Sequence, residues 1–384
     1  MFRGLCLLLV ALNCKAIENI SVLGIGRLGI CTALCLEKSG YNVLGLDVIP
    51  AYVDAINNKA LNSPEPSVNE YLRSATNFRA TTSLDEALEF SDLCMIVVPT
   101  PSTPEKEAYD HSILSKLLSM INKRQVENKH LVVCCTVFPG YLSNVGKFLI
   151  KDCPNTTLSY NPEFIAQGNI IHDYEYSDMV LIGEGSKEAG DILESVYKRF
   201  CKSTPIISRM SVPSAEITKL AVNCFVTTKI SYANMIGDVA DLTPGADKYD
   251  ILNAVGADSR VGKKYLKPAY GFGGPCFPRD NRALGSYIKQ CGIDPLIPIA
   301  TDEYNKFHAE FMANELNKSG LDEFTFEDVN YKDNCNVVIL EESQKLEVAS
   351  RLVKRGKKVI IEDKADVVDA VKQKFGSVFD YKVK

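Results

Sequence analysis

Asn19-Ile-Ser-Val-Leu-Gly-Ile-Gly-Arg-Leu-Gly29 decides the fold. Its first five residues are a short apolar run that ends directly in Gly24-Ile25-Gly26-Arg27-Leu28-Gly29, and a helical stretch from Ile30 to Ser39 follows. Gly40 closes that helix, Tyr41–Leu46 reads as a second strand, and Asp47 ends it, eighteen positions past Gly29. Strand, glycine turn, helix, strand and acidic residue in this order form a dinucleotide-binding unit. The glycines let a pyrophosphate lie against the helix N-terminus, where free N–H groups and the helix dipole favour an anion. A carboxylate at Asp47 accepts hydrogen bonds from ribose hydroxyls, which predicts NAD rather than NADP. Gly24, Ile25, Gly26, Arg27, Leu28, Gly29 and Asp47 are therefore candidate cofactor residues.

Outward from this stretch the alternation continues. Leu93–Val98 reads as a buried strand ending in Pro99-Thr100-Pro101, and His130–Cys135 as another ending in Thr136. Loops at the carboxyl ends of parallel strands bind ligands in doubly wound sheets, so Thr100 and Thr136 are candidate cofactor contacts. Threonines that simply form turns fit the pattern nearly as well. Pro162 biases Asn161 away from helix, leaving Glu163 near a strand end or on the surface. We assign 17–208 to a Rossmann-like, doubly wound α/β domain.

Pro213 to Asp241 reads as one helix of about 40 Å, with Ser211 as its cap and Pro213 in its first turn. Ile217, Leu220, Ala221, Cys224 and Phe225 form its expected core face. Lys219 and Asn223 share another face, with Asn234 further along it. The pattern alone favours a solvated face for them. Beyond it lies Tyr270-Gly-Phe-Gly-Gly-Pro-Cys-Phe-Pro-Arg-Asp280, whose glycines and prolines rule out regular structure. A thiol on such a loop, here Cys276, is either a nucleophile or a structural cysteine in a turn.

Composition narrows the classes. The 384 residues allow two or three domains, and 46% hydrophobic with 24% charged content is ordinary for a globular protein. A net charge of −5 gives no basic footprint for nucleic acid or for an anionic membrane. Four histidines without ligand spacing predict no metal site. Most of the thirteen cysteines, such as Cys31, Cys35, Cys94, Cys134, Cys135 and Cys224, sit in apolar runs as small hydrophobes. Reduced thiols predict a cytoplasmic protein. The apolar leader 1–16 argues the other way, since it has the basic start and length of a signal peptide. It is too short to span a bilayer.

Four blocks together resemble the UDP-glucose/GDP-mannose dehydrogenase family, in its UDP-glucose branch. They are Gly24–Gly29 with Asp47, Asn161-Pro-Glu-Phe164, Ala215-Glu-Ile-Thr-Lys-Leu-Ala-Val-Asn223, and Gly271–Asp280. The resemblance implies oxidation of a nucleotide-sugar C6 hydroxyl to a carboxylate by two NAD in turn. It implies Cys276 as nucleophile, Lys219 stabilising charge on the C6 oxygen, Asn223 adding a polar contact, and Asp280 ordering or deprotonating water. Glu163 and Thr136 fall near that water. Phe164, Lys267 and the Phe272–Gly274 backbone, including Gly273, fall at the sugar nucleotide. Arg260 and Lys332 fall at its diphosphate, Arg260 reaching a neighbouring subunit of a homodimer, and Arg279 falls on the cofactor side.

This chain departs from the family in its region after Asp47, Ile49-Pro-Ala-Tyr52, which lacks the usual basic residue. An arginine that relatives commonly present in the 334–343 segment is absent, and a tail arginine that helps hold substrate in many relatives has no match. Domain 209–318 would carry the long helix and the cysteine loop, and 319–384 a shortened α/β domain with an unusually polar first strand. Another nucleotide sugar, a two-electron hydroxyacid dehydrogenase and a non-catalytic homologue are the competing readings.

Overall fold

The computed structural model describes residues 17–103 and 108–384, so the apolar leader 1–16 lies outside the described residues. Eight strands form the main sheet: β1 (Asn19–Leu23), β2 (Asn42–Leu46), β3 (Phe78–Thr81), β4 (Leu93–Ile96), β5 (His130–Val133), β6 (Thr157–Tyr160), β7 (Met179–Glu184) and β8 (Ile206–Ser211). Their order is β3-β2-β1-β4-β5-β6-β7-β8, parallel throughout except for β6 against β7. Helices cover both faces, so the strands are apolar along their whole length, as in β4, where all four residues are buried. The chain winds outward in one direction from β1 and in the other from β4. A crevice opens where those directions part, at the carboxyl ends of the two strands. This is the doubly wound α/β fold that the glycine turn predicts.

The cysteines Cys31, Cys35, Cys94, Cys134, Cys135 and Cys224 are buried and free. Burial raises the Cys94 and Cys135 thiols to about 12, so they stay neutral and serve as packing.

The long helix runs Val212–Asp241. It begins where predicted: Ser211 Oγ accepts from the Ser214 amide, and Pro213 occupies the first turn. Its expected core face is right at two of five positions. Leu220 and Cys224 are buried, but Ile217, Ala221 and Phe225 are exposed, Phe225 by 67%. Lys219 and Asn223, expected in solvent, are buried instead. The cause is that the helix is packed between the helices Phe277–Gln290 and Leu296–Lys318, which meet it through polar groups.

A second sheet, β9 (Glu323–Phe326), β10 (Lys358–Asp363) and β11 (Asp380–Val383), is parallel in the order β11-β10-β9. The polar look of β9 is simple alternation: Phe324 and Phe326 enter the core while Glu323 and Thr325 face out. Val337–Leu340 forms no strand. It is a loop tied back by Tyr331 N–H to the Ile339 carbonyl and by Ile339 N–H to Asn330 Oδ1, both at 2.9 Å. Among the described residues no helix is long and apolar enough to cross a membrane.

Candidate active site

The glycine loop follows β1 at the switch point. Gly24 (φ +95°) and Gly29 are glycines for the protein's own sake: a Cβ at Gly24 would lie 2.7 Å from the Val97 carbonyl oxygen, and one at Gly29 would lie 1.9 Å from that of Gly24. A Cβ at Gly26 would meet nothing within 4 Å. Space there is left for a ligand to approach the backbone, which is what a pyrophosphate needs. Tyr52 holds the loop from behind, donating to the Ile25 carbonyl at 2.9 Å. Asp47 follows β2 directly and accepts from the Ile49 amide at 3.1 Å. Tyr52 is near enough for the Asp47 charge to add to the rise in its pKa that burial causes. These residues fit a dinucleotide.

A cavity of about 830 Å³ opens from this loop and is lined by Gly26, Arg27, Leu28, Thr100, Thr136, Glu163, Phe164, Lys219, Asn223, Cys276 and Arg279, among others. Residues from six separate stretches of sequence thus face one space. Thr100 is turned inward, its hydroxyl bonded to the Thr136 carbonyl at 2.7 Å. Arg27 reaches across to Gln167 Oε1 at 2.6 Å.

Cys276 immediately precedes the helix Phe277–Gln290. Cys276 lines the cavity and is exposed to it; desolvation raises its pKa, Asp280 adds to the rise, and Arg279 and Lys219 oppose it. The helix N-terminus favours the thiolate as well. Lys219, on the long helix, donates from Nζ to the Glu163 carbonyl at 2.6 Å and lies 4.5 Å from the Phe164 ring centre. The Glu163 carboxyl is held at about 7 by burial, against the pull of Tyr197 and Lys219. The Tyr197 hydroxyl lies 3.1 Å from Glu163 Oε1 and 2.7 Å from Asn161 Oδ1.

Asp280 sits behind this group rather than on the cavity wall, fully buried. It accepts from Asn223 Nδ2 at 2.6 Å, Tyr109 hydroxyl at 2.7 Å and Arg279 Nε at 3.1 Å. A carboxylate with three donors, two of them facing the cavity side, orients Asn223 and Arg279. Tyr109 and Tyr197 were not singled out from sequence, because a lone tyrosine in a loop or helix carries no periodic signal.

The remaining candidates stand outside the cavity lining. Ile25 is buried in the sheet core. Phe272 is buried, and Gly273 and Gly274 lie against Glu342 and Tyr331, so close that a Cβ on either would fall 2.3 Å from a neighbouring atom. Lys332 stands 5.7 Å from the Tyr331 ring centre. Lys267 lines a separate cavity of about 220 Å³. Arg260 is paired with Asp258 at 2.6 Å, its side chain 87% exposed. Among the described residues no group of three or more His, Cys, Asp or Glu side chains is placed to hold a metal ion.

A doubly wound sheet with an open glycine at its switch point and an acidic strand end defines a dinucleotide-binding protein, and NAD is its cofactor. Residues 18–201 match the UDP-glucose/GDP-mannose dehydrogenase family, NAD binding domain, and residues 213–307 match the central domain of the same family. A GDP-mannose 6-dehydrogenase of Pseudomonas savastanoi pv. phaseolicola is 33% identical over 280 residues, 69% of this chain and 63% of the relative. The matched part thus spans under two thirds of that relative's length. A UDP-glucose 6-dehydrogenase of Rickettsia bellii is 30% identical over 304 residues, 78% of this chain and 69% of the relative. The solved structure of a UDP-glucose dehydrogenase from Pyrobaculum islandicum superposes with a TM-score of 0.84 at 28% identity, covering 95% of this chain and 86% of that one. The chain belongs to the UDP-glucose/GDP-mannose dehydrogenase family.

Proposed function

We propose that this chain is an NAD-dependent nucleotide-sugar dehydrogenase that takes the C6 hydroxyl of its substrate to a carboxylate in a four-electron oxidation. The observation that carries this reading is the Cys276 thiol sharing one cavity with the glycine loop, Lys219, Asn223 and Glu163. A two-electron dehydrogenase needs no nucleophile. A four-electron one does, because an aldehyde is a poor hydride donor and a thiohemiacetal a good one.

NAD supplies the hydride acceptor for both oxidations. The Cys276 thiolate adds to the aldehyde carbon, forming a C–S bond and turning the carbonyl oxygen into an alkoxide. Hydride loss from that carbon leaves a thioester; water then displaces sulfur, giving the carboxylate and returning the thiol. Lys219 stabilises the oxyanion from one side. Glu163, held at about 7, takes the proton of the attacking water near neutral pH. Asp280 acts from behind, orienting Asn223 toward the reacting carbon and Arg279 toward the cofactor side.

The finer reading is UDP-glucose, supported by the Gly271–Asp280 loop and by the similarity to a UDP-glucose dehydrogenase over 95% of the chain. GDP-mannose is the second reading, favoured by the 33% identical relative. A homodimer is the assembly we infer, since a row of apolar side chains on the long helix faces solvent and Arg260 stands clear of its own cavity. NADH yield per sugar, run across a panel of nucleotide sugars, tests the function. Two per sugar supports it, one supports a simple dehydrogenase, and none a non-catalytic homologue.

A further inference from the structure

Past Asn223, the inward face of the long helix stays polar. Thr227, Ser231, Asn234 and Asp238 are all buried, none more than 7% exposed. Such groups are costly to bury unless hydrogen-bonded, so their partners show what they are for. Ser231 bonds the Thr301 carbonyl at 3.1 Å, which joins two helices. Asn234 and Asp238 do something else. Asn234 Oδ1 accepts the Ala269 amide at 3.0 Å. Asp238 Oδ2 accepts from the Tyr304 hydroxyl at 2.8 Å and lies 2.9 Å from His308 Nδ1. The other ring nitrogen of His308 lies 2.8 Å from the Ala269 carbonyl oxygen. A carbonyl only accepts, so Nε2 carries the hydrogen.

One turn earlier on the helix Leu296–Lys318, Asn305 makes two further bonds. It accepts the Phe272 amide and donates to the Phe272 carbonyl, both at 2.9 Å. Its side-chain amide pairs with Phe272 as a neighbouring strand would. Ala269 and Phe272 open the segment that ends at Cys276, and Gly271, Gly273 and Gly274 leave it few side chains to anchor it. Asn305 and His308 are each 6% exposed or less, and neither lines the large cavity. They reach the chemistry only through that backbone.

We propose that Asn305 and His308, the latter oriented by Asp238, are positioning residues for the reaction at Cys276. They fix the backbone at Ala269 and Phe272 and thereby set where the thiol stands relative to Lys219. The inference rests on Cys276 as the nucleophile.

Asn305→Ala and His308→Ala, made in the full chain, test it through kcat, the KM for NAD, thermal midpoint and the rate at which iodoacetamide alkylates Cys276. The expected result is a fall in kcat of about tenfold or more and a clear change in alkylation rate, with the KM for NAD within about twofold. His308→Gln, which still offers an N–H to Ala269, should recover part of kcat. A lowered thermal midpoint with kcat and alkylation unchanged would overturn the proposal, since that is what mere packing residues give. If the alanine variants do not fold, hydrogen exchange of the wild-type protein decides. A Phe272 amide protected like the core of the helix Leu296–Lys318 supports the clamp, and one exchanging like an open loop refutes it. Full activity after complete alkylation of Cys276 would instead sink the nucleophile reading, a separate failure.

Discussion

On the long helix Val212–Asp241, one face turned into the protein is polar and the face turned out is apolar. Lys219, Asn223, Thr227, Ser231, Asn234 and Asp238 are buried, while Ile217, Phe225, Tyr232, Met235 and Val239 are at least 36% exposed. Between them a narrow strip, Ala215, Leu220 and Cys224, does the ordinary packing. A surface helix usually has the opposite sense. The inversion teaches that the apolar stripe of this helix is not what packs it into its own core. The inward groups line or brace the cavity, and the outward ones form the surface through which the homodimer proposed above would be made.

The comparison breaks most severely at Lys219. Lys219→Ala should lower kcat by about 100- to 1000-fold with little change in the KM for sugar, because its charge matters most when the C6 oxygen is anionic. Steady-state kinetics check this; an effect confined to KM would make Lys219 a ground-state contact.

On the other face, Phe225→Glu places two like charges near a twofold axis where an apolar contact is proposed. Light scattering at micromolar concentration should show a dimeric mass for wild type and a monomeric one for the variant. Identical masses for both would remove the outward face from the interface.

A subtler effect belongs to Glu163, next to the inward face. Its carboxyl, at about 7 rather than the usual 4.5, is neutral below that pH and ionised above it. As the base for thioester hydrolysis it should make the rate rise with pH through about 7, and Glu163→Gln should flatten that limb. The same shift affects stability with a definite sign. The folded state keeps a proton that the unfolded chain releases, so wild type loses stability relative to Glu163→Gln as pH rises from about 4.5 through about 7. Thermal midpoints at pH 5 and pH 8 measure this.

The smallest change is expected away from the helix altogether. Asp47→Asn should raise the KM for NAD by roughly tenfold or less, the worth of about one hydrogen bond. NADP use should rise only slightly, since Tyr52 stands near Asp47 and the segment Ile49-Pro-Ala-Tyr52 offers no basic residue to a 2′-phosphate. An unchanged NAD/NADP ratio would place Asp47 away from the ribose.

The glycine turn was legible because its parts are local: strand, turn, helix and acid all fall between Asn19 and Asp47. The cysteine loop was legible as a loop carrying a candidate nucleophile, but not in how it is held. What holds it comes from Asn234, Asn305 and the Glu341 carbonyl, and no sequence spacing announces such pairings. Periodicity placed Ile217 and Phe225 on one face and Lys219 and Asn223 on another, correctly. It could not say which face turned inward, because apolar residues were assumed to face this chain's own core. Asp280 shows a similar limit: water chemistry was implied for it only by the family resemblance, and its burial behind Asn223 and Arg279, which sequence could not announce, is what supports the orienting role proposed above.

The most direct test of the central claim is to trap the acyl group on the thiol. The protein would be mixed with NAD and the nucleotide sugar that yields NADH, quenched in acid within a turnover, digested and analysed by mass spectrometry. Glu163→Gln, in which hydrolysis should be slow, would serve as the accumulating variant. The account predicts an adduct of the oxidised nucleotide sugar on the peptide carrying Cys276, absent in Cys276→Ser, which should make no acid. Acid formed by Cys276→Ser at a rate close to wild type, with no adduct on Cys276, would contradict it.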